Sequence, residues 1–358
     1  MTSSGAADPL LVYGAYGYTG WLVVAEMLRR GLRPVLSGRD EGALARMGEG
    51  TGLPWRVARL DGREGLGTAL RGIDVVLNVA GPFSATVAPL VEACVDNCVH
   101  YLDIAGEVAS IEEAARWSGA ARMRELMIMP AVGFDVVPSD SLALFAAARL
   151  PRARVLRIGV AGLGWFSRGS AATMAAQAGK PVLMRRGGRL VEVAPGAREH
   201  RFDFGRGPER ALAVSWGDVA TALYSTGVPD VEVYFRATPA LEAALAVNRW
   251  GAALGPATGW GALVGPLLAA SDGVIRAAPP ADPGPVTIAV ELRDEGEGCV
   301  RARLHTPEVY AFTATVAAAI CARVLGGDLE PGFQTPARVF GADFVLGFPG
   351  VRREEMAC

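Results

Sequence analysis

The first 150 residues alternate short apolar runs with amphipathic stretches, a pattern of strands followed by helices. The apolar runs predict strands at Leu10–Tyr13, Arg33–Ser37, Arg56–Leu60, Asp74–Ala80, His100–Ile104 and Leu126–Val132. The stretches between them predict helices at Trp21–Arg30, Glu41–Gly50, Glu64–Arg71, Val87–Asn97, Val108–Arg122 and Asp140–Arg149, the last capped by Ser139. Regular alternation places helices on both faces of one sheet, so the expected fold class is α/β with a doubly wound parallel sheet.

The pattern changes near Pro151. Strands are expected at Val155–Gly162, Val231–Ala237, Val286–Leu292 and Gly298–Thr306, a helix at Thr173–Ala178, and irregular charged structure over Gly187–Arg210. This irregular order predicts a second α+β domain with an antiparallel sheet. The expected domains are therefore residues 1–150, residues 151–306, and residues 307–358, a helix (Pro307–Leu325) and tail that pack back on the first domain.

Three glycines, Gly14, Gly17 and Gly20, stand between the first strand and the first helix. In such a turn the first glycine permits a sharp bend, the second lets the backbone approach a pyrophosphate, and the third lets helix and strand pack closely. The N–H groups at the helix start then face an anion. The spacing differs from G-x-G-x-x-G, but strand, turn and helix follow in the required order. The stretch therefore predicts a Rossmann-type, dinucleotide-binding first domain.

The end of the second strand favours NADP over NAD. Ser37 and Arg39 stand where an acidic residue usually holds the ribose of NAD, and an arginine suits the 2′-phosphate of NADP. Asp40, if it turned inward, is the competing feature. Asp61 is expected near the adenine, and the loop after Asp74–Ala80 near the nicotinamide. The expected cofactor is NADP(H), and the candidate cofactor-binding residues are Gly14, Tyr16, Gly17, Tyr18, Thr19, Gly20, Ser37, Arg39, Asp61, Asn78, Ala80, Gly81 and Pro82.

A reductase also needs a proton source opposite the hydride. Tyr101, Asp103 and Asp135 are the candidate catalytic residues because they lie at strand ends that face the expected nicotinamide; Glu107 also fits by position. Tyr101 and Asp103 share one face of their strand, so Asp103 can hold Tyr101 as the donor. The competing interpretation is that both only tie loop ends together through hydrogen bonds.

Composition narrows the remaining classes of function. A net charge of −2 gives no basic footprint for nucleic acid. No cysteine group has zinc-ligand spacing, and no metal site or disulfide framework is expected. Residues 251–270 carry no charge but hold five glycines and two prolines, so a flap over an apolar pocket is preferred to a membrane span, with peripheral membrane contact as an alternative. The N-terminus lacks a signal-peptide pattern, which predicts a cytoplasmic protein.

Several blocks of sequence resemble one known family. They are Gly14–Gly20, Asn78–Phe83, His100–Glu107, Gly133–Asp140, Trp216–Asp218, Tyr224–Gly227, Thr306–Glu308 and Gly332–Ala337. By these blocks the chain resembles the saccharopine dehydrogenase-like oxidoreductases, in particular their trans-acting enoyl reductase branch. The resemblance implies an NADP-type cofactor, a Rossmann domain and a substrate domain.

The resemblance also sets the functional hypotheses. The leading one is an NADPH-dependent reductase that transfers hydride to a C=C or C=N bond of a fairly apolar polyketide, lipid or other secondary-metabolite substrate, free or carrier-bound. By analogy the protein is expected to be a homodimer. One alternative is saccharopine-type reductive amination of an amino acid, which requires converging arginines such as Arg168, Arg185 and Arg186. Another is a non-catalytic NADP-binding protein.

Overall fold

The computed structural model describes residues 8–164, 180–254 and 284–358. The strands are β1 (Leu10–Tyr13), β2 (Val35–Gly38), β3 (Trp55–Val57), β4 (Val75–Asn78), β5 (His100–Asp103), β6 (Met127–Met129), β7 (Val155–Ala161), β8 (Val182–Arg186), β9 (Arg189–Val193), β10 (Glu199–Asp203), β11 (Pro208–Ala213), β12 (Asp230–Arg236), β13 (Val286–Arg293), β14 (Cys299–Thr306), β15 (Gly332–Phe333) and β16 (Arg352–Met356). The helices are α1 (Tyr18–Arg29), α2 (Glu41–Thr51), α3 (Arg63–Ala69), α4 (Phe83–Asp96), α5 (Val108–Arg116), α6 (Ser118–Met123), α7 (Val137–Ala147), α8 (Asp218–Thr226), α9 (Pro239–Leu254), α10 (Val309–Leu325) and α11 (Pro336–Phe340).

The chain divides into two compact units. Unit 1 is the chain up to Asp135 together with Tyr310–Val339, and unit 2 is Val136–Val309 together with Phe340–Cys358. The sequence-based boundary at residue 150 differs from this division because α7 packs on β13 and β14 and so lies in unit 2. Helix α7 also begins earlier than predicted. Ser139 lies inside its first turn and donates a hydrogen bond to the Val136 carbonyl, so it does not cap the helix.

Unit 1 is built on a parallel sheet in the order β15-β6-β5-β4-β1-β2-β3. Strands β1, β2 and β4 are buried along their whole length, as expected for a sheet covered by helices on both faces. The predicted doubly wound α/β sheet is confirmed. Because the strands are parallel, their carboxyl ends all lie at one edge, where the candidate site residues follow β1, β2, β4, β5 and β6.

Unit 2 holds a nine-stranded sheet in the order β10-β11-β12-β7-β13-β14-β16, with β8 paired to β12 and β9. It is mixed rather than antiparallel, since β12 and β7 run parallel. The stretch predicted to be irregular contains β9, β10 and part of β11. Charged residues alternate along these ribbons, so they lack the apolar runs that predicted β7, β12, β13 and β14, although Phe202 and Phe204 pack in a core with Met184.

The C-terminal segment divides between the two units. Strand β15 joins the first sheet beside β6, in line with the prediction that this segment packs back on the first domain. Beyond Val339 the prediction differs from the structure, because β16 pairs antiparallel with β14 in unit 2. The predicted helix at Thr173–Ala178, Arg168, and residues 255–270 of the uncharged stretch lie outside the described residues. Among the helices that are described, none has the length and apolarity to cross a membrane.

A disulfide links Cys299, at the start of β14, to Cys358, with 6.1 Å between their Cα atoms. No disulfide was expected from the sequence, so this pairing is a correction; Cys94, Cys98 and Cys321 are free. The pairing was missed because it depends on β16 lying antiparallel to β14, which brings residues distant in sequence together.

We expect Cys358→Ser to lower the free energy of unfolding by about 2–4 kcal/mol, because the disulfide closes a loop across a separation of 59 residues and restricts the unfolded chain. Urea unfolding with and without dithiothreitol checks this: reduced wild type should match the variant. Cys98→Ser, at an exposed free thiol, is the control and should leave stability unchanged. Wild type that is equally stable with and without the reductant would contradict the prediction.

Candidate dinucleotide site and proton donor

The glycine turn has the geometry that the sequence predicted. Gly14 has a φ of +87°, and a Cβ added there would lie 2.7 Å from the Cβ of Ala80. A Cβ on Gly20 would lie 2.4 Å from the carbonyl oxygen of Ala15 and 2.5 Å from that of Gly14. A Cβ on Gly17 would lie 3.3 Å from the carbonyl oxygen of Gly14. The turn therefore requires glycine at its first and third positions, where β1, the loop after β4 and α1 meet.

The start of α1 presents its backbone to a ligand. Its N-cap is Gly17, and no side chain caps the helix. The Gly17 N–H donates to the Gly14 carbonyl over 3.0 Å, which fixes the turn ahead of the first helical residues Tyr18, Thr19 and Gly20. An uncapped N-terminus with the positive end of the helix dipole fits a pyrophosphate. The ring of Tyr18 packs edge-on against that of Tyr310, with centroids 5.4 Å apart.

The residues that are expected to bind the adenosine part of the cofactor lie around Tyr13. The Tyr16 ring covers Gly38, since a Cβ there would lie 2.5 Å from the ring. Burial is the main reason that the pKa of Tyr13 rises to about 12; Tyr16 and Asp61 add to the rise, and the cationic Arg39 opposes it. Arg39 itself is exposed. The structure thus brings Tyr16, Arg39 and Asp61 together around Tyr13, near the end of β2.

The side chains of Asp40 and Ser37, at the end of β2, both make hydrogen bonds within the protein. The Asp40 carboxylate accepts the Ala43 N–H over 2.9 Å and caps α2, so it does not turn inward toward a ribose. Ser37 is fully buried, and its hydroxyl donates to the Arg56 carbonyl over 2.9 Å. The Ser37 hydroxyl is thus bonded within the protein, and the assignment of Ser37 to the cofactor site stays a prediction. The Ser37 carbonyl accepts the Gly14 N–H and supports the turn.

Asn78 shapes the loop that was predicted to lie near the nicotinamide. Its side-chain oxygen accepts the Ala80 N–H over 3.0 Å, and its amide donates to the hydroxyls of Thr86 and Tyr101 over 3.0 and 3.1 Å. Asn78 is completely buried and its side chain holds the loop, and its assignment to the cofactor site stays a prediction. The backbone of Ala80, Gly81 and Pro82 continues to the surface.

Tyr101 and Asp103 lie on one face of β5 as predicted, and both are fully buried. The Tyr101 hydroxyl donates to Asp103 over 2.9 Å, and the other oxygen of Asp103 accepts the N–H groups of Ala105 and Ala131. Burial raises the pKa of Tyr101 well above its ordinary value and that of Asp103 to about 6. These bonds support the competing interpretation that the pair ties loop ends together, so direct proton donation by Tyr101 is not supported.

Asp135, which follows β6, keeps partial exposure. Its carboxyl packs against Gly106, where an added Cβ would lie 2.2 Å from an Asp135 oxygen. Burial, and next the charge of Glu107, raises the pKa of Asp135 to about 7. A carboxyl that holds its proton near neutral pH has the acidity that a general acid needs.

Sequence reasoning placed Glu107 at this strand end but missed its contacts. The buried Glu107 carboxylate accepts the backbone N–H groups of Phe83 and Ser84, each over 3.1 Å, and the Ser110 hydroxyl over 2.8 Å. It therefore caps α4, whose first residues directly follow the nicotinamide loop. Capping motifs in sequence are local, so a cap supplied from 24 residues further along the chain carries no sequence signal.

Two of the three arginines proposed to bind a carboxylate-rich substrate have partners within unit 2. Arg185 is buried and donates to the carbonyls of Val219 and Gly188, each over 2.8 Å. Arg186 pairs with Glu232. In the described part of the chain, no group of three or more histidines, cysteines or acids could hold a metal ion.

Comparison with known proteins gives the domain a family. Residues 10–126 match the saccharopine dehydrogenase NADP-binding domain. This segment is similar to that domain family. The resemblance stated from the motifs is thereby confirmed, and NADP(H) is supported as the cofactor. The matched segment contains the glycine turn, the Arg39 strand end, the nicotinamide loop and Glu107.

Curated relatives match over the same part of the chain. A human saccharopine dehydrogenase-like oxidoreductase is 28% identical over 151 residues, which are 37% of this chain and 35% of that protein. A Mycobacterium tuberculosis protein named as a trans-acting enoyl reductase is 30% identical over 161 residues, which are 42% of this chain and 38% of that protein. A Caenorhabditis elegans lipid droplet localized protein is 30% identical over 145 residues, 37% and 34%. The match thus spans about a third of the length of these relatives.

Among solved structures, apo saccharopine dehydrogenase (L-Glu forming) from Saccharomyces cerevisiae matches with a TM-score of 0.63 and 11% identity. The match covers 97% of this chain and 99% of the yeast chain. At that identity the likeness shows the fold, which both units share with the yeast enzyme, and leaves the substrate open.

Proposed function

We propose that the protein is an NADPH-dependent reductase that transfers hydride to a C=C or C=N bond of a fairly apolar substrate, free or carrier-bound. One observation carries the proposal: Asp135, whose pKa of about 7 keeps a proton available, packs against Gly106, and the next residue, Glu107, holds the helix that follows the nicotinamide loop. Bound NADPH would supply the hydride, and the chain would supply orientation and the proton.

Each part of the site has its own task in this proposal. The uncapped start of α1 binds the pyrophosphate, and the loop Ala80–Pro82 borders the nicotinamide. Asp135 gives its proton to the substrate atom opposite the carbon that receives the hydride, so the double bond gains one hydride and one proton. The Asp135 carboxylate then regains a proton from water.

Three observations bear on the substrate class. The relative named as a trans-acting enoyl reductase favours C=C reduction. The uncharged sequence of residues 251–270 suits an apolar substrate. Arg185 and Arg186 are already bound to other groups of unit 2, which disfavours a substrate with several carboxylates. Saccharopine-type reductive amination and NADP binding without catalysis stay as alternatives, and the homodimer stays a prediction.

A substrate panel tests the proposal. Purified protein is mixed with NADPH deuterated at C4 and with long-chain enoyl thioesters, cyclic imines, or a 2-oxo acid plus an amino acid. Loss of nicotinamide absorbance is followed, and mass spectrometry locates the deuterium. Turnover of an enoyl thioester or imine supports the proposal and identifies the bond. Turnover of the 2-oxo acid mixture indicates reductive amination, and tight NADPH binding without any turnover indicates a binding protein.

Arg39 is expected to decide the preference between the two nucleotides. Asp40 is occupied as the cap of α2, so it does not compete with a 2′-phosphate for Arg39. We expect Arg39→Ala to weaken NADPH binding about 10- to 100-fold, the loss of a charge-assisted contact, and to leave NADH binding nearly unchanged.

Nucleotide fluorescence titration measures both affinities. Arg46→Ala removes another exposed arginine, on α2, and serves as the matched control with unchanged NADPH affinity. An Arg39→Ala protein that still prefers NADPH as strongly as wild type would remove the argument for a 2′-phosphate site at the end of β2.

A further inference from the structure

One face of the unit 2 sheet carries a row of alternating charges. Glu232 of β12 lies beside Arg157 of β7, and Arg157 lies beside Glu291 of β13. Glu291 in turn lies opposite Arg301 of β14. Side chains at paired positions of neighbouring strands project from the same face of a sheet and contact each other. The row therefore brings together four charged side chains from four adjacent strands.

Glu291 is buried at the centre of three guanidinium groups. It accepts hydrogen bonds from Arg157 over 3.1 Å, from Arg293 over 2.9 Å and from Arg301 over 2.7 Å. Only 4% of the Glu291 side chain is exposed, whereas 45% of the Arg293 side chain and 35% of the Arg301 side chain are exposed. The buried carboxylate thus fixes guanidinium groups that keep an exposed surface.

The positive charges of this face outnumber the negative ones. Arg157 also donates to Glu232 over 2.9 Å, and Glu232 forms a second ion pair with Arg186. The described cluster thus has four guanidinium groups for two carboxylates, an excess of two positive charges. Two acids of the turn after β13 are bonded elsewhere, since Asp294 accepts two backbone N–H groups of its own turn and Glu295 pairs with an arginine just before β7.

The two carboxylates of the cluster are charged at neutral pH. Burial opposes ionisation of Glu291, but the hydrogen bonds from Arg293 and Arg301 outweigh it and lower its pKa to about 2. The pKa of Glu232 is also lowered, because its hydrogen bonds and the nearby guanidinium charges outweigh its burial. The Nε2 atom of His200 lies 3.6 Å from Glu291, and burial lowers the pKa of this histidine, so it adds no charge. The excess of two positive charges is therefore constant around neutral pH.

The remaining donors of the cluster suit a phosphate group. A guanidinium has five N–H donors, and the described bonds of Arg293 and Arg301 to Glu291 use only some of them. Several arginine forks that converge on one point match the oxygens of a phosphate, and charge-assisted hydrogen bonds of this kind are about twice as strong as neutral ones. A phosphate dianion also carries the charge that offsets the excess.

We propose that Arg157, Arg293 and Arg301 form a binding site for a phosphate dianion, either the free ion or the monoester of a small molecule. Glu291 is the positioning residue that holds the three guanidinium groups together from the buried side. The site belongs to unit 2, whereas the candidate dinucleotide residues belong to unit 1. It does not depend on the proposed reductase activity.

Protection of arginine side chains in the wild-type protein tests this site. The protein is treated with phenylglyoxal, which modifies accessible arginines, at about pH 8, where a phosphate group is mostly a dianion. Mass spectrometry gives the rate of modification at each arginine. We expect inorganic phosphate to slow the modification of Arg293 and Arg301 by about fivefold or more and to reach saturation. Sodium chloride at equal ionic strength should have no such effect.

Arg210 is the matched control within the same protein. Its side chain is 46% exposed, almost the same fraction as that of Arg293, and it also lies in unit 2. It pairs with two carboxylates, Glu199 and Glu242, so this group has no excess of positive charge. Phosphate should therefore leave the modification of Arg210 unchanged.

Arg301→Gln tests whether the arginines act together. In this variant the phosphate concentration that gives half of the protection at Arg293 should rise about fivefold or more, because one of the three cations is lost. Arg210→Gln should leave that concentration unchanged. If Arg301→Gln does not fold, the protection measured in wild type still decides whether the site exists.

Two further probes identify the class of ligand. Protection by glycerol 3-phosphate as well as by inorganic phosphate supports a site for a monoester, and protection by inorganic phosphate alone supports a site for the free ion. Malonate is a dicarboxylate of the same charge, and protection by malonate at lower concentration than phosphate would overturn the assignment to phosphate. Equal protection by chloride, or protection of Arg293 and Arg301 no greater than that of Arg210, would overturn the site itself.

Discussion

Gly20→Ala should abolish NADPH binding, with at least a 100-fold loss of affinity, and lower the free energy of unfolding by about 3 kcal/mol. The added methyl would lie 2.4 Å from the Ala15 oxygen and 2.5 Å from the Gly14 oxygen. Both are backbone atoms of the turn, so no side chain can move aside to make room. Either α1 or the turn must shift, and the N–H groups that face the pyrophosphate shift with it.

Gly50→Ala is the matched control, because Gly50 lies in α2 and an added Cβ has no atom within 4 Å. We expect it to keep full NADPH affinity and to gain up to about 0.5 kcal/mol from better helix propensity. Nucleotide fluorescence and urea unfolding measure both quantities. A Gly20→Ala protein that binds NADPH like wild type would show that the turn does not hold the pyrophosphate.

The parallel sheet of unit 1 could be predicted from the sequence because its strands are short apolar runs separated by helices. Strand β1 was predicted at its observed bounds, Leu10–Tyr13, and the Gly14 and Gly20 positions have the steric need that the motif implies. The charged ribbons of unit 2 were missed because alternating arginine and glutamate residues resemble a loop when their cross-strand partners are unknown.

The candidate site was predictable in position but not in the direction of its side chains. Ser37, Asn78 and Tyr101 were all expected at strand ends; Ser37 and Asn78 lie at the ends of β2 and β4, whereas Tyr101 is the second residue of β5. Each uses its polar atoms inside the protein, on the Arg56 carbonyl, the Ala80 N–H and Asp103 respectively. Strand periodicity gives the face of a side chain, whereas a hydrogen bond depends on which loop folds over that face. The capping of α4 by Glu107 escaped prediction for the same reason.

Asp135→Asn should lower the rate of substrate reduction about 10²- to 10⁴-fold while NADPH affinity stays within about twofold of wild type. The amide has the shape of the carboxyl but cannot act as the acid, and loss of a general acid has this magnitude. Asp96→Asn, a surface acid at the end of α4, is the control and should keep full activity. Steady-state kinetics on the substrate found in the panel separates the rate from nucleotide binding.

The pH dependence of the reduction rate tests the role of Asp135 independently. The pKa of Asp135 is raised to about 7, so its acid form dominates below that pH and is lost above it. The rate of reduction should therefore be level below about pH 7 and fall about tenfold for each pH unit above it, until another step limits turnover. This alkaline limb should be missing in Asp135→Asn.

The same proton also affects stability in the absence of substrate. The folded pKa lies above the ordinary value of about 4 for an unfolded aspartate, so between about pH 4 and 7 the folded state binds a proton that the unfolded state has released. This contribution is complete below about pH 4 and is lost as the pH rises toward 7. The stability difference between wild type and Asp135→Asn should change with pH across that window and level off above it. A constant difference would show that Asp135 ionises at an ordinary pH, and the proton donor would then have to be another group.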